Sequence, residues 1–123
     1  MVAFTPGTTL GANALSAAFN QLEINAQTGT TYTLASTDAG GLITCANASA
    51  ITVTIPTNAA VAFAVGTQIG VMQTGAGQVT FTGAAGVTVN SYNSAKKIVG
   101  NGGLVVLVKT ATNTWQAAGA LVP

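Results

Sequence analysis

Charge is what this sequence has least of. Only five of its 123 side chains are charged (Glu23, Asp38, Lys96, Lys97 and Lys109), and it has neither Arg nor His. At 4 % charged it lies far below the roughly 25 % of an ordinary soluble domain. Three scattered lysines cannot neutralise a run of phosphates, which excludes electrostatic nucleic-acid binding. Acid–base catalysis wants a His or two carboxylates held together, and Glu23 and Asp38 are the whole acidic inventory. Cys45 is the single cysteine, so an internal disulfide is excluded and no thiolate cage for a metal can be built. With no His beside it, it is read as a packing residue and not a nucleophile. Long apolar runs are missing too. The longest is Ala59 to Val65, against the roughly 20 residues a membrane-spanning helix needs. Gly, Asn and Pro also interrupt the strands before they reach the roughly 9–11 residues of a membrane barrel. The opening Met1-Val2-Ala3-Phe4-Thr5-Pro6 has no basic region and no apolar stretch, so no signal peptide is expected.

What remains is neutral. The chain holds 20 Thr, 9 Asn, 6 Gln and 5 Ser, with 23 Ala and 15 Gly as small filler. Val, Ile, Leu and Phe together supply 31 residues, enough for a core and too many for a disordered chain. Twenty Thr and 13 Val favour strands, because β-branched side chains fit a pleated surface. So few charges give a free monomer little repulsion against self-association. The composition therefore predicts a β-rich protein partly covered by other protein.

The pattern changes near Gly29. Before it, Leu15, Phe19 and Leu22 recur at i, i+4 and i+7, with Ala14 and Ala18 widening the stripe, which is a helical period. Gly11 as N-cap and Leu10 with Leu15 as a staple predict a helix from about Ala12 to Ile24 or Asn25. Its one apolar stripe must pack somewhere: on the chain's own β-domain, on copies of itself, or on a partner. From Thr30 the period becomes two. Tyr32 and Leu34 lead to the turn Asp38-Ala39-Gly40-Gly41, where Asp38 is read as bonding its own backbone. Leu42 to Cys45, Ile51 to Ile55 and Thr67 to Gln73 read as strands, with Pro56 ending the second. Gly75-Ala76-Gly77 is expected to be a hairpin turn into Val79 and Phe81, and Val87 and Val89 follow as the next rung. Leu104, Val105, Val106, Leu107 and Val108 are apolar on both faces, which predicts a central or an interface strand. Trp115 to Gly119 closes the sheet. The expectation is a mainly β fold, an antiparallel β-sandwich or small barrel of about seven or eight short strands. One N-terminal helix would precede it, with an arm and helix over 1–29 and a β-domain over 30–123.

Other candidate chemistry is thin. Gly100-Asn101-Gly102-Gly103 precedes a strand and not a helix, so it is no phosphate cradle. Lys96 and Lys97 read as a solvated loop. Tyr32, Tyr92 and Trp115 could stack on a sugar as amphipathic rings do; the plainer reading puts Trp115 over the core and the tyrosines at strand ends. No catalytic residue, metal or cofactor is expected.

An ordered series of segments carries a resemblance. Thr31-Tyr32-Thr33-Leu34, Asp38-Ala39-Gly40-Gly41-Leu42-Ile43 and Asn47-Ala48-Ser49-Ala50-Ile51-Thr52-Val53-Thr54-Ile55-Pro56 open it. Phe63 to Ile69, Gln73 to Phe81, Gly86 to Ser91 and Asn113-Thr114-Trp115 continue it. Over about residues 30–121 the chain resembles a β-domain of tailed-bacteriophage virion proteins, found in capsid decoration (cement) proteins and in tail fibres. The opening Phe4-Thr5-Pro6-Gly7-Thr8 is similar to N-terminal segments of small phage structural proteins. The resemblance implies a homotrimer on the capsid surface, made in the host cytoplasm, with the major capsid protein as partner and neither nucleic acid nor membrane bound. The alternative it implies is a short tail fibre or fibre tip binding a host glycan. Under the first reading Leu15, Phe19, Leu22 and Leu104 to Val108 would supply the oligomer or capsid contact. Under the second, Tyr32, Tyr92 and Trp115 would supply the glycan stack.

Overall fold

Threonine and β-branched residues alternate through most of this chain, and a backbone so composed extends and pairs. The structure, a computed structural model, describes residues 22–123. Among these described residues, eleven strands form two sheets. The chain first winds through three coils, each laying one strand in each sheet: β1 (Ile24–Gln27) and β2 (Thr31–Thr33), β3 (Leu42–Cys45) and β4 (Ile51–Ile55), β5 (Gln68–Gln73) and β6 (Val79–Gly83). Within a sheet the coils stack in parallel, β1 on β3 on β5 and β2 on β4 on β6. After them come β7 (Thr88–Ser91), β8 (Lys97–Ile98), β9 (Leu104–Ala111), β10 (Thr114–Gly119) and β11 (Leu121–Val122). β9 pairs antiparallel with β5 and β8 antiparallel with β6, so the last coil is capped on both sheets. The orders are β1-β3-β5-β9-β10-β7 and β11-β8-β6-β4-β2.

The mainly β, sandwich-like architecture is the expected one. The described residues hold eleven strands where about seven or eight were expected, because short pairings such as Lys97–Ile98 with Leu121–Val122 carry little sequence signal, and the internal wiring differs in three respects. Pairing is parallel throughout the three coils where antiparallel pairing was expected. The Gly75-Ala76-Gly77 turn joins β5 to β6, which lie in different sheets, so it is a corner and not a hairpin. β6 and β7 likewise lie in opposite sheets and are not successive rungs. The expected helix also cannot run to Ile24 or Asn25, because Ile24–Gln27 is β1, paired with Leu42–Cys45. The parallel ladder pairs those amides and carbonyls of β1 that face β3, bonds that a helix end at the same place would not make. Leu15, Phe19 and the expected helix as far as Gln21 lie outside the described residues.

The core sits between the sheets. Ile43, Val71 and Val105 meet across one sheet and Val53 and Phe81 across the other, all buried. Each such side chain removed from water contributes roughly 1.5–3 kcal/mol. Trp115 is buried and meets Phe63 edge-on, ring centres 5.5 Å apart at 90°. Outside, the two sheets differ. The five-stranded sheet shows water two rows of threonine, Thr31-Thr52-Thr80 and Thr33-Thr54-Thr82. Hydroxyls replace charges there, so a solvated sheet face is built with almost no Lys or Glu.

Candidate interaction surface

The outer face of the six-stranded sheet is apolar. Register places Ile24, Leu42, Gly70, Val106 and Ala118 in one row across five strands. The next row holds Thr44, Met72 and Leu104. A polar row, Gln68, Val108, Gln116 and Asn90, bounds the patch on its other side. Leu22 is 60 %, Ile24 56 % and Leu104 44 % exposed, where ordinary sheet faces carry polar side chains. A groove of about 620 Å³ runs across the patch from Leu22 past Leu42 and Gly70 to Leu104 and Val106. Gly70 is its floor. A Cβ there would lie 3.0 Å from Leu42 Cδ1 and 3.9 Å from Leu104 Cδ1, so the two leucines flank the bare backbone like walls.

The run Leu104 to Val108 thus divides by strand alternation. β9 is a central strand between β5 and β10. Val105 and Leu107 are wholly buried in the core, which removes them from any contact surface. Leu104, Val106 and Val108 point outward. Leu22 lies at the groove's rim. Leu42, Gly70 and Met72 belong to the same surface and were missed in the sequence. The signal was present: strands with Ile43, Ile69 and Val71 inward must turn Leu42, Gly70 and Met72 outward, and those residues are not polar.

The three aromatic candidates are not brought together. Trp115 is core. Tyr92 is 84 % exposed at a kink where Asn93 and Ser94 both have φ of 55°. Tyr32 sits in a polar cluster: its hydroxyl donates to Asp38 Oδ2 at 2.6 Å and accepts from Asn25 Nδ2 at 2.8 Å. Asp38 is buried, and it also accepts from the Ala35 amide at 2.8 Å and from Asn25 Nδ2 at 3.0 Å. It therefore bonds local backbone, as read from the sequence, and ties coil corners together as well. Burial, and then the hydrogen bond to Asp38, push the Tyr32 phenol up to about 12. Burial alone pushes the Cys45 thiol up to about 11, which keeps it protonated and a poor nucleophile.

Nothing in the local sequence singles out Lys109. It is buried, and its ammonium donates to Asn58 Oδ1 at 2.6 Å and to the Phe63 carbonyl at 2.7 Å. Its own carbonyl accepts from the Gly66 amide at 2.7 Å. One side chain therefore pins the connection between β4 and β5 onto β9. Lys96 is half-buried and Lys97 exposed. Among the described residues, no three His, Cys, Asp or Glu side chains gather where they could hold a metal ion. No helix among them is long and apolar enough to cross a membrane.

No protein family, curated protein or solved structure matches this chain.

Proposed function

We propose that this protein is a non-enzymatic structural subunit of a tailed-bacteriophage virion, a trimeric decoration protein that binds the head shell. One observation carries the reading: a nearly charge-free chain presents an apolar, grooved sheet face, with Leu22, Ile24 and Leu104 open to solvent. A face of this kind gains by being covered, at roughly 25 cal/mol per Å² of apolar area, less the costs of association. The ordered series of segments that resembles phage virion β-domains supports the same reading. Attachment through such a face depends little on ionic strength, because ion pairs are not what holds it. Against a glycan-binding fibre tip stands the dispersal of Tyr32, Tyr92 and Trp115, which form no common stacking platform.

Sedimentation of the purified protein tests the assembly. A species near three times 12.0 kDa at micromolar concentration is expected, and a stable monomer overturns the trimer. Binding to undecorated phage heads tests the partner. Attachment that persists in 1 M salt is expected for the native protein and is lost with Leu104→Lys. Failure of the native protein to bind any head overturns the decoration role.

A further inference from the structure

The outer face of the five-stranded sheet carries a pattern that the proposed shell contact does not use. Three successive coils place Thr-x-Thr at the same point of their strands: Thr31 and Thr33 on β2, Thr52 and Thr54 on β4, Thr80 and Thr82 on β6. The ladders are parallel and unbroken, so Thr31, Thr52 and Thr80 form one row and Thr33, Thr54 and Thr82 the next. With 20 Thr in 123 residues, six positions filled from this composition would hold about one. The residues between them, Tyr32, Val53 and Phe81, pack on or within the core, which fixes the array from behind. Among the described residues, threonine hydroxyls bond protein at Thr57, Thr74 and Thr110, none of them in the array. Charge enters the first row only at its end, where Lys97 on β8 pairs with Thr80.

Such an array has a lattice. Neighbouring strands lie about 4.8 Å apart and alternate residues about 6.7 Å apart along a strand, both within about a tenth of the oxygen repeats of a prism face of ice. Each hydroxyl offers one donor and two acceptor positions, so it exchanges with water bonds of both kinds. A β-branched side chain is stiff about χ1, and an array of six therefore loses little freedom when a surface fixes it. An ammonium or a carboxylate would instead gather water in a shell of its own geometry, and neither stands among the six.

We propose that the threonine face of the five-stranded sheet binds ice, with its two threonine rows seated on the oxygen lattice of a prism face. The apolar face of the six-stranded sheet lies on the other side of the core, so the shell contact and this one do not compete. The inference rests on the threonine register and goes beyond the virion reading.

Partition into growing ice tests it. The full-length protein is frozen slowly onto a cold finger, where ordinary solutes are rejected into the liquid. The native protein is expected to be enriched in the ice several-fold over an unrelated protein of similar size, and to facet single ice crystals held just below melting. Thr52→Tyr, which raises one side chain out of the middle of the array, is expected to lose the enrichment while its circular dichroism melt stays near native. Thr112→Tyr, on the exposed turn between β9 and β10, is expected to keep it. Should Thr52→Tyr not fold, Thr33→Tyr on the edge strand β2 is read in its place. Rejection of the native protein from ice overturns the proposal and leaves the face an ordinary solvated one. Enrichment kept by a folded array variant, or lost by Thr112→Tyr, overturns it as well. Head binding is not read in these measurements, so their outcome leaves the decoration role to its own test.

Discussion

The amide of Gly77 donates to the carbonyl of Asn47 at 2.7 Å, and this bond joins the corner of one coil to the corner of the next. The same Asn47 donates through Nδ2 to the Thr28 carbonyl at 2.8 Å, toward the preceding coil. Its Oδ1 accepts from the Ser49 amide at 2.8 Å, fixing the local turn. Three successive corners are thereby stacked through one asparagine. The stacking is close: a Cβ on Gly75 would lie 2.9 Å from both the N and the O of Asn47, and one on Gly77 would overlap the Ser49 carbonyl oxygen.

Gly77→Ala should therefore separate two coils, because backbone and not a flexible side chain occupies the space. Misfitting one methyl in a packed interior costs about 1–3 kcal/mol, and a clash with fixed backbone on both sides belongs above that range. Expression without a cooperative melt, or a loss of at least about 3 kcal/mol by denaturant titration, is expected. Gly86→Ala, at a glycine where a Cβ would meet nothing within 4 Å but φ is 91°, should cost only about 1 kcal/mol from backbone strain. If the two variants cost the same, corner stacking is not what Gly77 provides.

Trp115 and Phe63 meet edge-on in the core, one from β10 and the other from the β4–β5 connection. Trp115→Ala should cost about 3–5 kcal/mol through the cavity it leaves. Phe63→Leu should cost less, since it keeps most of the buried volume and loses chiefly the ring contact, about 0.5–1.5 kcal/mol. Trp115 is the only tryptophan, so native fluorescence should show the blue-shifted emission of a buried indole and report unfolding directly. Emission like that of free indole in water would contradict its place in the core.

Individual strands were legible in the sequence because alternation is a local signal. Ile51, Val53 and Ile55 inward with Thr52 and Thr54 between them can be read without knowing any neighbour. The coil was not legible, because it depends on which strand lies beside which. Thr31, Thr52 and Thr80 are neighbours in space, yet the first gap is shorter than the second because the connection through Phe63 inserts into one coil only. A fixed-period search fails on such a chain. A corner-based one finds Gln27-Thr28-Gly29 and Gln73-Thr74-Gly75 at equivalent positions. β1 was hidden for a different reason: the helical spacing of Leu15, Phe19 and Leu22 runs right up to it, and nothing local says that the ladder with β3 takes over at Ile24. Lys109 was missed because a lysine in a strand is ordinarily solvated, and only the return of Asn58 and Phe63 over β9 buries it.

Replacing Lys109 by Met should loosen one connection and spare the sheets. Losing the donor leaves the Phe63 carbonyl and Asn58 Oδ1 without their bonds, which costs about 1–3 kcal/mol. Removing a buried charge returns part of that, so the global melt should move by no more than about 2 kcal/mol. Protection from hydrogen exchange and proteolysis between Thr57 and Gly66 should fall several-fold. Unchanged protection would mean that Phe63 holds the connection by burial alone.

Alkali should unfold this protein in a definite window, and the sign follows from two groups. Burial pushes the Cys45 thiol from its ordinary value of 9.0 up to about 11 in the fold, and burial with the hydrogen bond to Asp38 pushes the Tyr32 phenol from 10.0 up to about 12. Both are acids whose neutral form the fold prefers, so above pH 9 the unfolded chain gives up protons that the folded chain still holds. Stability then falls as pH rises, by the linkage between bound protons and folding. The contribution of these groups is fully present below pH 9, declines as Cys45 is crossed between about 9 and 11, and declines again as Tyr32 is crossed between about 10 and 12. Denaturant midpoints measured from pH 7 to 11.5 should be flat with respect to these groups up to about 9 and then drop. Cys45→Ala should remove the earlier part of the drop and Tyr32→Phe the later part. Tyr32→Phe also breaks the bond to Asp38 and should start from a lower midpoint at pH 7. A native profile with no fall between 9 and 11.5 would show that neither group is held neutral by the fold, and a Cys45→Ala profile that falls as early and as steeply as the native one would remove Cys45 from the account.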